Sequence, residues 1–240
     1  VRNTIRYLSS RLEKTDAKSF AKSKTPAGVE WLCRSDRRHA MRDDAFDGDD
    51  WLLNTPDNTV ELQTGQPRPH DRLDYCTKSA AVAPGGECRR WLQFIEEITG
   101  GDSELGEYLQ RVAGYCLTGS TREHALFFNF GTGANGKSVF VNTVAGIVGD
   151  YATGAPMSTF VASSNDQHPT DLAGLRGARL VTATETQAGR AWDEARLKSM
   201  TGGDKITARF MRQDFFEFTP KFKLMISGNY RPVIKTVDEA

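Results

Sequence analysis

One eight-residue stretch, Gly131-Thr132-Gly133-Ala134-Asn135-Gly136-Lys137-Ser138, carries the residue types that bind a phosphate. It matches the pattern G-x-x-x-x-G-K-[ST], in which glycines let the backbone turn tightly and present several N–H donors to one phosphate. Lys137 would place a positive charge against the β- and γ-phosphates, and Ser138 would offer a hydroxyl to Mg²⁺. The stretch therefore predicts a site for a nucleotide and Mg²⁺.

The residues on either side of this loop predict the elements that would position it. Residues 125–130 form an apolar, aromatic-rich run that is typical of a buried strand. After the loop, apolar residues at 140, 144, 147 and 148 recur at helical spacing, and Gly149 suits a helix end. Strand, loop and helix follow in the order that phosphate binding at a helix N-terminus requires. A loop in a scaffold that no longer binds nucleotide is the alternative.

Two further strand ends carry polar groups of the kind that nucleotide hydrolases use. The β-branched, apolar residues 179–184 lead to Glu185, an acid that could support the Mg²⁺ shell or orient the attacking water. Residues 223–228 form another apolar strand, and Asn229 follows it, where its amide could bond to the γ-phosphate or the attacking water. An ordinary strand-end glutamate and a turn asparagine are the alternatives.

A β-hairpin is predicted between these two strands. Residues 206–210 and 215–218 alternate with period two around a tip at 211–214. Basic residues lie among phenylalanines on its arms and flanks: Lys205, Arg209, Arg212, Lys221 and Lys223. This mixture suits a single nucleic-acid strand, bound by phosphate contact and base stacking. A hairpin packed on its own sheet is the alternative.

Composition sets wide bounds on the class of protein. The 240 residues include 31 basic and 31 acidic side chains, so the net charge neither requires nor excludes nucleic acid. No apolar run approaches the roughly 18 residues of a membrane span. The four cysteines, at 33, 76, 88 and 116, show no C-x-x-C pairing and indicate reduced thiols. We therefore expect a cytoplasmic protein with no membrane partner.

The region before the loop is predicted to be mostly helical from about residue 90. Gly100-Gly101 ends one amphipathic helix and Asp102-Ser103 caps the next. The second helix has an apolar stripe that we expect to be buried: Leu105, Tyr108, Leu109, Val112, Tyr115 and Cys116. A boundary near residue 120 would separate this unit from an α/β unit.

The order of these motifs resembles superfamily 3 helicases, in particular the phage and plasmid primase–helicase group that includes the poxvirus primase–helicase. Besides the glycine loop, residues 172–185, 198–204, 206–209 and 227–232 carry the likeness. Upstream, residues 53–70 and 108–117 resemble the N-terminal helicase-associated domain of that group.

The resemblance implies an α/β fold: an AAA+-like P-loop NTPase core over residues 121–240, truncated at its C-terminus, behind a mostly helical accessory domain over 1–120. It implies an ATP-dependent DNA helicase that moves on single-stranded DNA as a homo-oligomeric ring, a hexamer. Such a helicase would be encoded by a phage, plasmid or other mobile element. It would work with other replication proteins in the host cytoplasm. Lys137 and Ser138 would bind ATP and Mg²⁺, Glu185 would be the Walker B acid and also support Mg²⁺, and Asn229 would sense the γ-phosphate. The hairpin would point into the channel of the ring.

Two departures from the family pattern bear on activity. Many relatives place two acids at the Walker B strand end, whereas Thr184 precedes Glu185 here. The arginine finger of the family normally follows a stretch like Val237–Ala240, where this sequence stops, so we expect ATP binding with weak hydrolysis. A P-loop ATPase or kinase that does not act on DNA, and an ATP-binding assembly module, are the other readings.

Overall fold

A computed structural model describes residues 7–8, 10–11, 14–20, 22, 24–37, 40–162, 170–185 and 189–233, and at Glu185 the backbone alone. The chain divides into two compact units, Val1–Phe46 and Asp47–Ala240. The first unit contains helices α1 (Lys14–Phe20) and α2 (Lys24–Ser35) and a 3₁₀ turn at Asp43–Ala45. The predicted nucleotide site falls entirely in the second unit.

The second unit opens with a small antiparallel sheet and two helices. Strands β1 (Leu52–Asn54), β2 (Thr59–Glu61) and β3 (Gln66–Arg68) pair in that order. Helix α3 spans Arg89–Thr99 and helix α4 spans Ser103–Leu117. The predicted caps are confirmed, because Gly100 ends α3 with φ +63° and the Asp102 carboxylate accepts from the amide of Leu105 at 3.1 Å.

The predicted buried stripe of α4 is confirmed only in part. Val112 and Cys116 are buried in the core. Leu105 and Tyr108, however, are 41% and 48% exposed. The α4 residues in this core run from Leu109 to Leu117, so the first turns of the helix lie outside it.

A four-stranded parallel sheet forms the centre of the second unit, which confirms a mixed α/β fold. Its strands are β4 (Leu126–Phe130), β5 (Ala152–Gly154), β6 (Leu180–Glu185) and β9 (Lys223–Gly228), in the spatial order β4-β9-β6-β5. Between β6 and β9 in the chain, the hairpin strands β7 (Ile206–Ala208) and β8 (Phe216–Phe218) pair antiparallel with Ile206 opposite Phe218. The predicted hairpin is therefore confirmed, with arms shorter than expected.

Helices cover both faces of the parallel sheet, as parallel sheets require. The remaining helices are α5 (Lys137–Val148), α6 (Thr170–Ala173) and α7 (Glu194–Gly202). One face packs against α3, α4 and α5, where the core includes Phe140, Val144 and Leu180. The other packs against α7 and the base of the hairpin, where the core includes Leu197, Val181 and Ile226.

The domain boundary expected near residue 120 stays a prediction. Residues 47–120 pack in the same compact unit as the parallel sheet. In the part of the chain that the structure describes, no helix is both long and apolar enough to cross a membrane.

Candidate nucleotide site and hairpin

The predicted nucleotide-binding residues meet at the carboxyl edge of the parallel sheet. Phe130 at the end of β4 and Glu185 at the end of β6 both pair with Gly228 at the end of β9. The glycine loop follows Phe130 and Asn229 follows Gly228, and the amide of Gly131 donates to the carbonyl of Gly228 at 3.4 Å. The backbones of the loop, the acid and the amide therefore lie together at the edge where open α/β sheets bind ligands.

Lys137 places a positive charge at the centre of the loop. Its ammonium donates to the carbonyls of Gly131 at 2.5 Å and Thr132 at 2.8 Å, and to Oδ1 of Asn135 at 2.9 Å. All three acceptors are neutral oxygens. They orient the ammonium and, being neutral, do not cancel its charge, which attracts an anion.

Gly136 is the residue that joins the loop to α5. Its φ of +82° is accessible to glycine at little cost. A Cβ at this position would overlap Ile98 Cγ2 and would lie 3.2 Å from Phe94 Cε2, so α3 packs directly on the loop. Gly136 caps α5 without a side-chain hydrogen bond, which leaves first-turn amides of that helix available to a ligand.

Two buried polar groups lie one residue below this edge. Asn129 in β4 and Ser227 in β9 are register partners. Nδ2 of Asn129 and Oγ of Ser227 are both buried, and neither has a hydrogen-bond partner among the described residues. An unsatisfied buried polar group costs about 1–3 kcal/mol, so two adjacent ones require an explanation. Sequence reasoning missed them because each lies inside an apolar run.

The hairpin presents basic and aromatic side chains to solvent. Arg209 lies with its guanidinium carbon 4.7 Å from the centre of the Phe215 ring, and Phe215 is 60% exposed. Arg212 is an exposed tip residue with φ +61°. Lys205 is exposed, with its ammonium 3.9 Å from Glu217. These three cations lie on one hairpin, as the sequence predicted.

Lys221 and Lys223 are placed differently from the sequence-based expectation. The Lys221 ammonium binds the carbonyl of Gly48 at 2.9 Å and pairs with Asp50 at 2.7 Å. Lys223 is 1% exposed, donates to the carbonyls of Thr118 and Ser120, and lies over the Tyr115 ring. We correct its assignment as a DNA contact, because the first residue of a central strand is covered by the chain that precedes β4.

Burial changes the acid–base chemistry of Lys223. The loss of water around the ammonium lowers the pKa of Lys223 to about 7. Arg179, which directly precedes β6, is a second buried cation and was not singled out from the sequence. Its guanidinium donates to the carbonyls of Leu117 and Leu52, both at 2.7 Å, and of Asp49 at 3.1 Å. A charged residue directly before an apolar run was the available signal.

Two family models match the chain. Residues 1–100 match a family described as "D5 N terminal like". Residues 129–240 match a family of unknown function, DUF5906. The interval between the two matches contains the boundary expected near residue 120.

Two viral proteins named as candidate helicases are similar in sequence. The L207/L206 protein of Acanthamoeba polyphaga mimivirus is 29% identical over 204 residues, which is 81% of this chain and 21% of that protein. The 022R protein of Frog virus 3 (isolate Goorha) is 28% identical over 162 residues, 65% of this chain and 16% of that protein. The chain thus spans about a fifth or less of the length of these relatives.

Among solved structures, the apo A form of the NrS-1 C-terminal region overlaps 64% of this chain and 35% of its own, with a TM-score of 0.49 and 13% identity. A second apo structure of that region, residues 305–718, gives a TM-score of 0.48 and 15% identity over 62% of this chain and 36% of its own. The family-model matches and the helicase-named relatives support the resemblance that the motifs indicated, namely to phage and viral primase–helicases.

Proposed function

We propose that this chain is the ATP-binding core, with an accessory region before it, of a helicase that replicates the DNA of a virus, phage or plasmid. The observation that carries the proposal is the convergence of the Lys137 loop, the Glu185 strand end and Asn229 on one edge of a parallel sheet. The helicase-named relatives support the same class of protein. In our proposal, residues 1–120 are the accessory domain and residues 121–240 are an AAA+-like P-loop core.

ATP with Mg²⁺ is the ligand that these residues fit. The loop offers an ammonium whose partners among the described residues are neutral oxygens, and α5 offers a helix N-terminus without a side-chain cap. Both features favour a polyphosphate. Ser138 and Glu185 would hold Mg²⁺, which would supply charge stabilisation for the phosphates during hydrolysis.

The chemistry assigned to the chain follows from charge and position. Lys137 would bind the phosphate oxygens and offset their negative charge as it develops. Glu185 would orient the attacking water or accept its proton, and Asn229 would donate its amide to the γ-phosphate. The arginine finger is expected to follow residues 237–240, which lie outside the described residues.

The hairpin gives the proposed enzyme its second substrate, single-stranded DNA. Arg209 and Arg212 would contact phosphates, and the exposed Phe215 ring would stack on a base. In a homo-oligomeric ring, a hexamer, such hairpins would line the channel, and ATP hydrolysis would move them along one strand. Other replication proteins would act with the ring.

A nucleotide titration tests the first half of this proposal. Wild-type chain and Lys137→Ala are titrated with a fluorescent ATP analogue in Mg²⁺, and binding by the wild type with loss of at least tenfold in the variant is expected. Equal affinities would refute nucleotide binding at the loop. Thermal unfolding of both proteins without nucleotide controls for loss of fold.

Hydrolysis with and without single-stranded DNA tests the second half. A helicase is expected to hydrolyse ATP several-fold faster with DNA, and Lys137→Ala to remove the activity. Hydrolysis that ignores DNA would favour a P-loop ATPase or kinase of another pathway. An assembly module would instead bind ATP and form oligomers that are insensitive to Glu185→Gln.

A further inference from the structure

We propose that Asn129 and Ser227, together with Thr184, form a polar row that binds the water shell of the nucleotide's Mg²⁺. The inference rests on the proposed function and adds positioning residues to it. Its first support is register: Asn129 and Thr184 each pair with Ser227 on the strand between them. Three neighbouring strands therefore carry a polar residue at the same level, one residue below the nucleotide edge.

The row faces the helix that starts at the phosphate loop. Side chains alternate along a strand, so Asn129 lies on the same face as Phe127 and Ser227 on the same face as Met225. Phe127 and Met225 both pack in the core beneath α5. Phe128 and Ile226 pack in the opposite core, beneath α7. The row thus lies on the α5 side of the sheet, below the loop.

The unsatisfied groups in the row point to a ligand beyond the protein itself. Ser227 is 7% exposed, and its hydroxyl and the Asn129 amide nitrogen are both without partners among the described residues. Adjacent buried polar groups of this kind are the usual binding sites of ordered water. A hydroxyl accepts and donates, and an amide offers one donor group and one acceptor, so the pair can anchor water in either orientation.

Thr184 explains why water near a metal ion is the expected occupant. It is a neutral residue directly before Glu185, so this strand end offers Mg²⁺ one carboxylate rather than two adjacent ones. Mg²⁺ retains several waters when it binds to proteins. Those waters need hydrogen-bond partners, and the neutral side chains at this level can supply them.

The experiment measures how nucleotide binding depends on Mg²⁺. Wild-type chain, Ser227→Ala and Asn129→Leu are titrated with a fluorescent ATP analogue at increasing Mg²⁺ and again in EDTA. Each variant is expected to need about tenfold more Mg²⁺ for half-maximal binding, with unchanged affinity in EDTA. Unchanged thermal stability would separate this effect from a packing defect.

A matched control and a rescue sharpen the result. Thr159 Oγ1 is equally buried and also lacks a partner among the described residues, but it lies in the 157–159 turn, so Thr159→Val should leave the Mg²⁺ requirement unchanged. Adding Thr184→Asp to Ser227→Ala should bring the Mg²⁺ concentration for half-maximal binding back to the wild-type value, because the aspartate adds a carboxylate to the row.

The outcomes separate this inference from the proposed function. If wild-type chain binds the analogue and Lys137→Ala does not, but Ser227→Ala and Asn129→Leu keep the wild-type Mg²⁺ dependence, the polar row is overturned and the nucleotide site stands. A wild-type affinity that does not respond to Mg²⁺ also overturns the row. If Lys137→Ala binds as well as the wild type, the nucleotide site itself is overturned.

Discussion

The main-chain amide of Lys223 donates to the carbonyl of Arg179 at 2.9 Å, so two buried cations are neighbours at the amino edge of the parallel sheet. The Arg179 side chain donates to the main-chain carbonyls of Asp49, Leu52 and Leu117, and the Lys223 side chain donates to those of Thr118 and Ser120. They fasten the segment that precedes β4 to the edge opposite the candidate nucleotide site. Burial lowers the pKa of both groups.

Replacing Lys223 by methionine should change how stability depends on pH. Burial lowers the pKa of Lys223 from 10.5 to about 7. Between these values the unfolded chain binds a proton that the folded chain does not, so the wild-type free energy of unfolding rises with pH. The wild type should therefore gain stability relative to Lys223→Met between pH 7 and about pH 8.5, as measured by urea unfolding.

The groups around Lys223 set the upper limit of this pH range. Burial raises the pKa of the Cys116 thiol from 9.0 to about 11, and burial also raises the pKa of Tyr115. Both shifts reduce stability at higher pH, which is the opposite sign. Arg179 and Asp50 are the other charged groups that act on Lys223. A difference between wild type and variant that does not change from pH 7 to 8.5 would contradict the assignment.

Arg179→Met should destabilise the fold more than a surface substitution does. The guanidinium of the buried Arg179 serves three main-chain carbonyls, and methionine fills a similar volume but offers no donor. We expect a loss of about 3 kcal/mol in the free energy of unfolding, because removal of one side of a buried polar network leaves the other unsatisfied. Arg179→Lys, with a single ammonium, should have a free energy of unfolding between those of the wild type and Arg179→Met. A loss below 0.5 kcal/mol in Arg179→Met would contradict this role.

Most elements of the core could be predicted because their local signals agree with their packing. The run that became β4, the helical spacing of α5 and the glycine at its end each indicated one structure. Period-two alternation likewise located the hairpin arms. Leu105 and Tyr108 were misjudged because an apolar stripe predicts which face of a helix is buried but not how much of the helix length the core covers.

The residues of the candidate site could be predicted only where they belong to a recognisable sequence motif. The glycine loop and Asn229 follow strands and Glu185 ends one, so the meeting of these positions at one edge follows from parallel pairing. Lys223 was assigned to DNA because a lysine near phenylalanines gives the same local sequence pattern whether it lies on the surface or in the core. Its neighbours Thr118 and Ser120 are more than 100 residues away in sequence, and local pattern carries no information on such contacts.

Gly136→Ala should destabilise the protein, whereas Gly133→Ala should not. An alanine at 136 would adopt a φ of +82° and overlap Ile98, and these effects together should cost about 2–4 kcal/mol. A Cβ at Gly133 meets open space, so less than about 0.5 kcal/mol is expected there. Calorimetric unfolding without nucleotide measures both. If the double variant Gly136→Ala with Ile98→Ala recovers part of the lost stability, the defect comes from the overlap with α3. Equal stability of Gly136→Ala and Gly133→Ala would contradict this prediction.

Removing the two hairpin arginines should weaken DNA binding in a salt-dependent way. Each phosphate contact on a single strand contributes about 0.7 to the slope of log affinity against log salt. Arg209→Ala with Arg212→Ala should therefore reduce that slope by about 1.4, measured by fluorescence anisotropy with labelled oligothymidine. Arg111→Ala is the control, because this exposed arginine lies on α4, 3.4 Å from Glu107. An unchanged slope in the double variant would exclude phosphate contact by the hairpin.

Phe215→Ala should weaken DNA binding without changing its salt slope. Its ring is exposed and carries the Arg209 guanidinium on one face, 4.7 Å from the ring centre. Stacking of one base is worth about 1–3 kcal/mol, so a loss of roughly tenfold in affinity is expected in the same anisotropy assay. Phe215→Trp keeps an aromatic face and should retain wild-type affinity. If Ala and Trp variants bind equally well, the ring does not stack on DNA, and its exposure serves another contact.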